Sequence, residues 1–87
     1  MELVEIERRL QSLLRQFGRG IPEEQLQDMK SLVEAGEPGV ALENYCSQLF
    51  EYDIAVPSHV VNELEELAQA MGIDRKYWAV ARDSGAW

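Results

Sequence analysis

Glycine and proline cut this chain into pieces that have only helix length between them. Gly18, Gly20 and Pro22 make the first cut, Gly36 and Pro38 the second, Pro57 the third and Gly72 the fourth. Within the pieces no strict two-residue alternation competes with steps of three and four between apolar residues. That spacing puts the apolar residues on one face of a helix. Leu3, Ile6, Leu10, Leu13, Leu14 and Phe17 keep the period, so residues 3–16 read as an amphipathic helix. Gly18 and Gly20 are expected to stop it by permitting a left-handed cap. Pro22 followed by Glu23 and Glu24 reads as a helix start, because the missing N–H costs nothing there and acids favour the positive end of the dipole. Leu26, Met29, Leu32 and Val33 form the inward stripe of this second helix, and Gly36 ends it.

Pro38 opens a third helix, whose apolar face is Leu42, Tyr45, Cys46, Leu49 and Phe50. Asn44, Ser47 and Glu51 point the opposite way, and Glu43 lies on the flank. Residues 52–57 break the helical period and read as an extended connector, with Ile54 and Val56 tucked under the helices. Pro57 or Ser58 starts a fourth helix that turns Val60, Leu64, Leu67, Ala68 and Met71 inward. Asn62, Glu65 and Glu66 face out, Glu63 sits at the margin, and Gly72 caps the helix. Asp74 is placed to N-cap a short last helix through Tyr77, Trp78 and Ala81, and residues 84–87 read as a frayed tail. The predicted fold is all-α. It is a single domain over residues 1–87, a compact and mostly antiparallel four-helix bundle with a short fifth C-terminal helix.

Charge is distributed unevenly over these helices. Between Lys30 and Arg75 there is no Lys and no Arg, while Glu34, Glu37, Glu43, Glu51, Asp53, Glu63, Glu65, Glu66 and Asp74 all fall in that gap. The formal net charge is −8. A field of one sign repels nucleic acid and anionic membranes and steers cationic partners in. The basic cluster Arg8, Arg9, Arg15 and Arg19 shares its helix with Glu2, Glu5 and Glu7, so phosphate binding is not expected. The reverse idea survives: an acidic surface can imitate nucleic acid and occupy a basic groove.

Other function classes find little support. The single histidine, His59, is expected to be exposed in the first turn of helix four, and no nucleophile is placed beside it. Cys46 lies on an apolar helix face and reads as a small core residue holding a reduced thiol. Glu51-Tyr52-Asp53 offers two carboxylates to a cation, but no twelve-residue ligand loop with a central glycine follows. No catalytic residue, metal site or cofactor is therefore expected. An acyl carrier would need its serine at the start of the second helix, whereas the one Asp-Ser pair here is Asp83-Ser84. Glu2, Glu5, Arg8 and Arg9 interrupt the N-terminus, and the longest charge-free run is residues 54–62. The expected location is therefore the cytoplasm, without membrane contact.

The stretch Gly36-Glu37-Pro38-Gly39-Val40-Ala41-Leu42-Glu43-Asn44-Tyr45-Cys46-Ser47-Gln48-Leu49-Phe50-Glu51-Tyr52-Asp53-Ile54 resembles the central segment of MafI-type immunity proteins. These are small acidic proteins encoded beside secreted polymorphic toxins, and related immunity proteins serve contact-dependent growth inhibition. The shared pattern is a helix end at Gly-Glu, an Ala-Leu-Glu helix, and a Leu-aromatic-Glu-Tyr-Asp exit into an extended connector. It covers about the middle quarter of the chain; the flanking helices match in length and character only. The resemblance implies a protein that binds the C-terminal toxin domain of an inter-bacterial effector, one-to-one, and neutralises it in the producing cell. Such toxins are often nucleases, ribonucleases in particular, and a nuclease cleft is basic.

On that reading the toxin-binding residues are Glu43, Glu51, Tyr52 and Asp53 from helix three and its exit, with Glu63 and Glu66 from helix four. They would pair with the Lys and Arg that normally hold the RNA phosphates. Tyr52 is the aromatic candidate among them, since large aromatics beside charge are common interface anchors. The alternative reading is an acidic helical adaptor, or nucleic-acid mimic, that docks on some other basic protein.

Overall fold

The computed structural model describes residues 1–79. Helix α1 spans Leu3–Gln16, α2 spans Glu23–Glu34, α3 spans Pro38–Glu51 and α4 spans Ser58–Ala70, followed by a 3₁₀ turn over Arg75–Tyr77. The described residues form an all-helical globule with no strand. The expected starts at Pro22, Pro38 and Pro57 hold. Asp74 does cap, its Oδ1 accepting from the Lys76 N–H at 3.0 Å. It opens only the 3₁₀ turn, however, and no fifth helix is seen among the described residues. Ala81, Trp87 and the predicted tail lie outside them.

Helix α3 is the element against which α1, α2, α4 and the 3₁₀ turn all pack. Its Ala41, Leu42, Tyr45, Cys46 and Leu49 are almost wholly buried. Around them gather Leu10 and Leu14 from α1, Met29 and Val33 from α2, and Val60, Leu64 and Leu67 from α4. Val56 from the connector and Trp78 after the 3₁₀ turn close the core. Ile54 and Val56 do tuck under the helices, Ile54 half-buried and Val56 buried. Trp78 is packed rather than offered to a partner.

Tyr45 is the largest wholly buried side chain, and it carries a polar tip into the core. Its hydroxyl donates to the main-chain carbonyl of Phe17, at the C-terminal cap of α1, at 2.8 Å. The bond ties α3 to the place where α1 turns away, and burial pushes the Tyr45 phenol above its ordinary pKa. The apolar period did not identify every buried position. Leu3 and Phe50 hold stripe positions by spacing, yet each is 54% exposed. Both sit at a helix end.

The helix ends show how the turns are made. At α2 the N–H of Glu37 reaches the carbonyl of Leu32 and that of Gly36 reaches Val33. At α4 Ile73 reaches Ala68 and Gly72 reaches Gln69 in the same way. This paired pattern places one residue in the left-handed region, here Gly36 at φ 83° and Gly72 at φ 69°. The first helix follows expectation in part: Gly20 is left-handed at φ 98°, but Gly18 is not, and α1 ends on Phe17 at φ −127°. A Cβ on Gly18 would collide with the Leu14 main-chain carbonyl oxygen of α1 and would also press on a Leu26 methyl of α2 at 2.9 Å. Gly18 is therefore required chiefly by the nearness of that α1 carbonyl, not by a left-handed backbone angle.

Two stability effects are expected. Tyr45→Phe should cost about 1–2 kcal/mol in urea unfolding, because it strands the Phe17 carbonyl without changing the packed volume. Gly18→Ala should cost about 1–3 kcal/mol, because backbone rather than a movable side chain stands in the way.

Candidate protein-binding site

Helix α3 ends with the same paired hydrogen bonds as α2 and α4. The Ile54 N–H reaches the Leu49 carbonyl at 2.9 Å, and the Asp53 N–H reaches Phe50 at 3.2 Å. The left-handed residue is not glycine here. It is Asp53, at φ 51°, the one non-glycine residue with positive φ among those described. An L-residue in this region costs about 1–2 kcal/mol, less for Asp, whose short polar side chain tolerates it. A carboxylate at the negative end of a helix adds about 0.3–1 kcal/mol of unfavourable dipole interaction. The chain thus forgoes stability at this turn, which it does not do at the equivalent turns of α2 and α4.

Around Asp53 the surface has the makings of an interface. Glu51 and Asp53 are exposed, and among the described residues no Lys or Arg pairs with either, or with half-buried Glu43. Two large exposed apolar side chains, Phe50 and Tyr52, alternate with these acids. Tyr52 is 40% exposed, and its hydroxyl accepts weakly from Gln25 Nε2 of α2 at 3.5 Å. Aromatic anchors beside unpaired charge are the usual composition of a protein-binding surface.

Glu63 and Glu66 are placed differently. Arg9 of α1 donates from Nε to Glu63 at 3.1 Å and from a terminal guanidinium nitrogen to Glu66 at 2.9 Å. Glu5 lies 3.8 Å from the same guanidinium. The two α4 carboxylates are therefore occupied in a clamp between α1 and α4, rather than held open. The bond from Arg9 holds the Glu66 carboxyl below the ordinary glutamate pKa, and Glu66 in turn raises Arg9. Sequence gave no sign of this clamp, since Arg9 and Glu66 stand 57 positions apart. Of the six predicted residues, Glu51, Tyr52 and Asp53 form an open group at the α3 exit, Glu63 and Glu66 a paired group on α4, and Glu43 lies half-buried on α3. Phe50, read as core, belongs with the open group.

Cys46 and His59 sit in contrasting settings, one buried and one exposed. Burial, aided by the charge of Glu43, pushes the Cys46 thiol up to about 12, so little thiolate forms near neutral pH. His59 is exposed and stands edge-on to Phe17 at 5.9 Å. Among the described residues no group of three or more His, Cys, Asp or Glu could hold a metal ion. No helix among them is long and apolar enough to cross a membrane. Comparison with protein-family models, with curated proteins and with solved structures finds no match.

Two measurements bear on these features. Asp53→Gly should stabilise the fold by about 0.5–1 kcal/mol in urea unfolding, against the usual direction for a glycine substitution. The clamp should be pH-dependent. Because the folded-state pKa of Glu66 is depressed, its contribution is present above the unfolded value and is lost as pH falls through the folded value. The gap in urea midpoint between the parent and Glu66→Gln should therefore narrow on acidification below the ordinary glutamate range.

Proposed function

We propose that this chain is a non-catalytic immunity protein. It binds the nuclease domain of an inter-bacterial toxin one-to-one in the cytoplasm of the producing cell, with a ribonuclease as the first candidate. The observation that carries the reading is Asp53: a carboxylate stands at a turn where glycine would be more stable, inside the segment that resembles MafI-type proteins. Glu51 and Asp53 are open to pair with basic groups of a nuclease cleft, and Phe50 and Tyr52 are open to supply apolar contact. The acidity of the chain supports the same reading, because a −8 protein is drawn towards a basic partner over distances of about a Debye length.

In this mechanism the acidic field accelerates encounter. The aromatic side chains then exclude water around the pairs formed by Glu51 and Asp53, which strengthens them. Glu63 and Glu66 act at one remove, by fixing α4 to α1 through Arg9. Glu43 sits half-buried on the flank of α3 and contributes charge rather than a primary contact.

Co-expression with the neighbouring toxin gene should restore growth to cells that the toxin otherwise arrests. Glu51→Lys with Asp53→Lys should slow association roughly tenfold or more at low salt and weaken that protection. Unchanged protection would remove the α3 exit from the interface. Failure to protect, combined with tight binding to some other basic protein, would favour the adaptor reading.

A further inference from the structure

The acids at the α3 exit adjoin a feature that the charge pattern does not explain. A cleft of about 200 Å³ lies between α2 and α3, lined by Gln25, Asp28, Met29, Asn44 and Gln48. The helical period brings Gln25, Asp28 and Met29 to one face of α2, and Asn44 and Gln48 to one face of α3. Met29 is buried, while Asp28 and Asn44 are exposed. The walls therefore hold three carboxamides and one carboxylate, and no cation.

Two of the carboxamides are incompletely bonded. The Oε1 atoms of Gln25 and Gln48 are both buried and have no hydrogen-bond partner. Buried polar atoms are nearly always satisfied, so two orphaned acceptors on residues that line one small cleft call for a donor. The terminal torsion of glutamine is broad, so a small turn of either amide presents its oxygen to the opening. The Gln25 Nε2 bond to Tyr52, at 3.5 Å, is too long to hold that amide firmly.

A guanidinium meets this demand better than other donors. It is planar, it carries five N–H groups in a fixed fork, and it sheds water more readily than an ammonium. Its charge suits Asp28, which is exposed at the cleft. A divalent cation would find a single carboxylate among the lining residues. Space for several waters makes the cleft too large for one bridging water. We propose that the α2–α3 cleft receives an arginine side chain of the protein partner. Asp28 pairs with the charge, and the Gln25 and Gln48 carbonyls accept guanidinium N–H groups. Tyr52, in weak contact with Gln25 Nε2 at 3.5 Å, puts the cleft beside the acids of the α3 exit, so one partner surface can engage both. This deepens the reading above and rests on it for the basic character of the partner.

The test uses the isolated protein, labelled with ¹⁵N, and N-acetyl-arginine amide as the probe. Side-chain NH₂ signals of Gln25, Asn44 and Gln48 should shift together and saturate. The neutral citrulline analogue should produce no such shifts, and the lysine analogue weaker ones. Asp28→Asn and Gln48→Leu should each abolish the arginine response while leaving the helical circular dichroism unchanged. Shifts scattered over the acidic surface, an equal response to citrulline or lysine, or a response that survives Gln48→Leu would overturn the proposal. Growth rescue without arginine binding would sink the cleft proposal alone. Arginine binding without growth rescue would sink the immunity reading and leave the cleft as an arginine site for another basic protein.

Discussion

A single buried hydroxyl fixes how the helices of this protein meet. Tyr45 fills the centre of α3, and its hydroxyl bonds to the Phe17 carbonyl where α1 ends. A buried tyrosine must place its polar tip on a partner, so the end of α1 is held at one distance from α3. Gly18 follows immediately; lacking a side chain, it keeps clear of the Leu14 carbonyl and lies against Leu26 of α2. Helix α2 packs on both α1 and α3, and a cleft remains between α2 and α3. Everything proposed about partner binding is built on the outer side of this joint.

The charge of the chain serves two ends in the folded protein. Arg9 draws in Glu63 and Glu66, and that part of the acidic middle becomes a fastening between α1 and α4. Glu66 is exposed in this pair, so the clamp is screened by solvent and orients α4 more than it stabilises it. The acids of the α3 exit have no such partner among the described residues. A surface on which some carboxylates are spoken for and others remain open has a direction, and that direction is towards Glu51 and Asp53.

Asp53 shows the trade between stability and use most plainly. Three helices end in the same hydrogen-bonded turn, and two of them place glycine at the left-handed position. The comparison is internal to one chain, so context is largely held constant. Strain kept at one site and relieved at its equivalents is a physical reason to look there for function. Its neighbours Phe50 and Tyr52 strengthen the case, because apolar area exposed beside strain is unfavourable in the free protein and useful in a complex.

The helices answer to local signals in the chain. Proline at helix starts, glycine at Gly36 and Gly72, and the three-and-four spacing of apolar residues are such signals. The sequence also determined that Glu51, Tyr52 and Asp53 would lie at a helix exit and that Cys46 would be buried. Tertiary structure decided the rest, because each remaining fact joins residues far apart in the chain. It decided that Gly18 avoids the Leu14 carbonyl and lies against Leu26 rather than making a left-handed turn. It left Phe50 exposed, although the spacing assigned it to the core. It gave Glu63 and Glu66 to Arg9, and it set the glutamines of α2 and α3 facing one another across a cleft. Periodicity says which face of a helix turns inward, but only packing says what stands opposite that face.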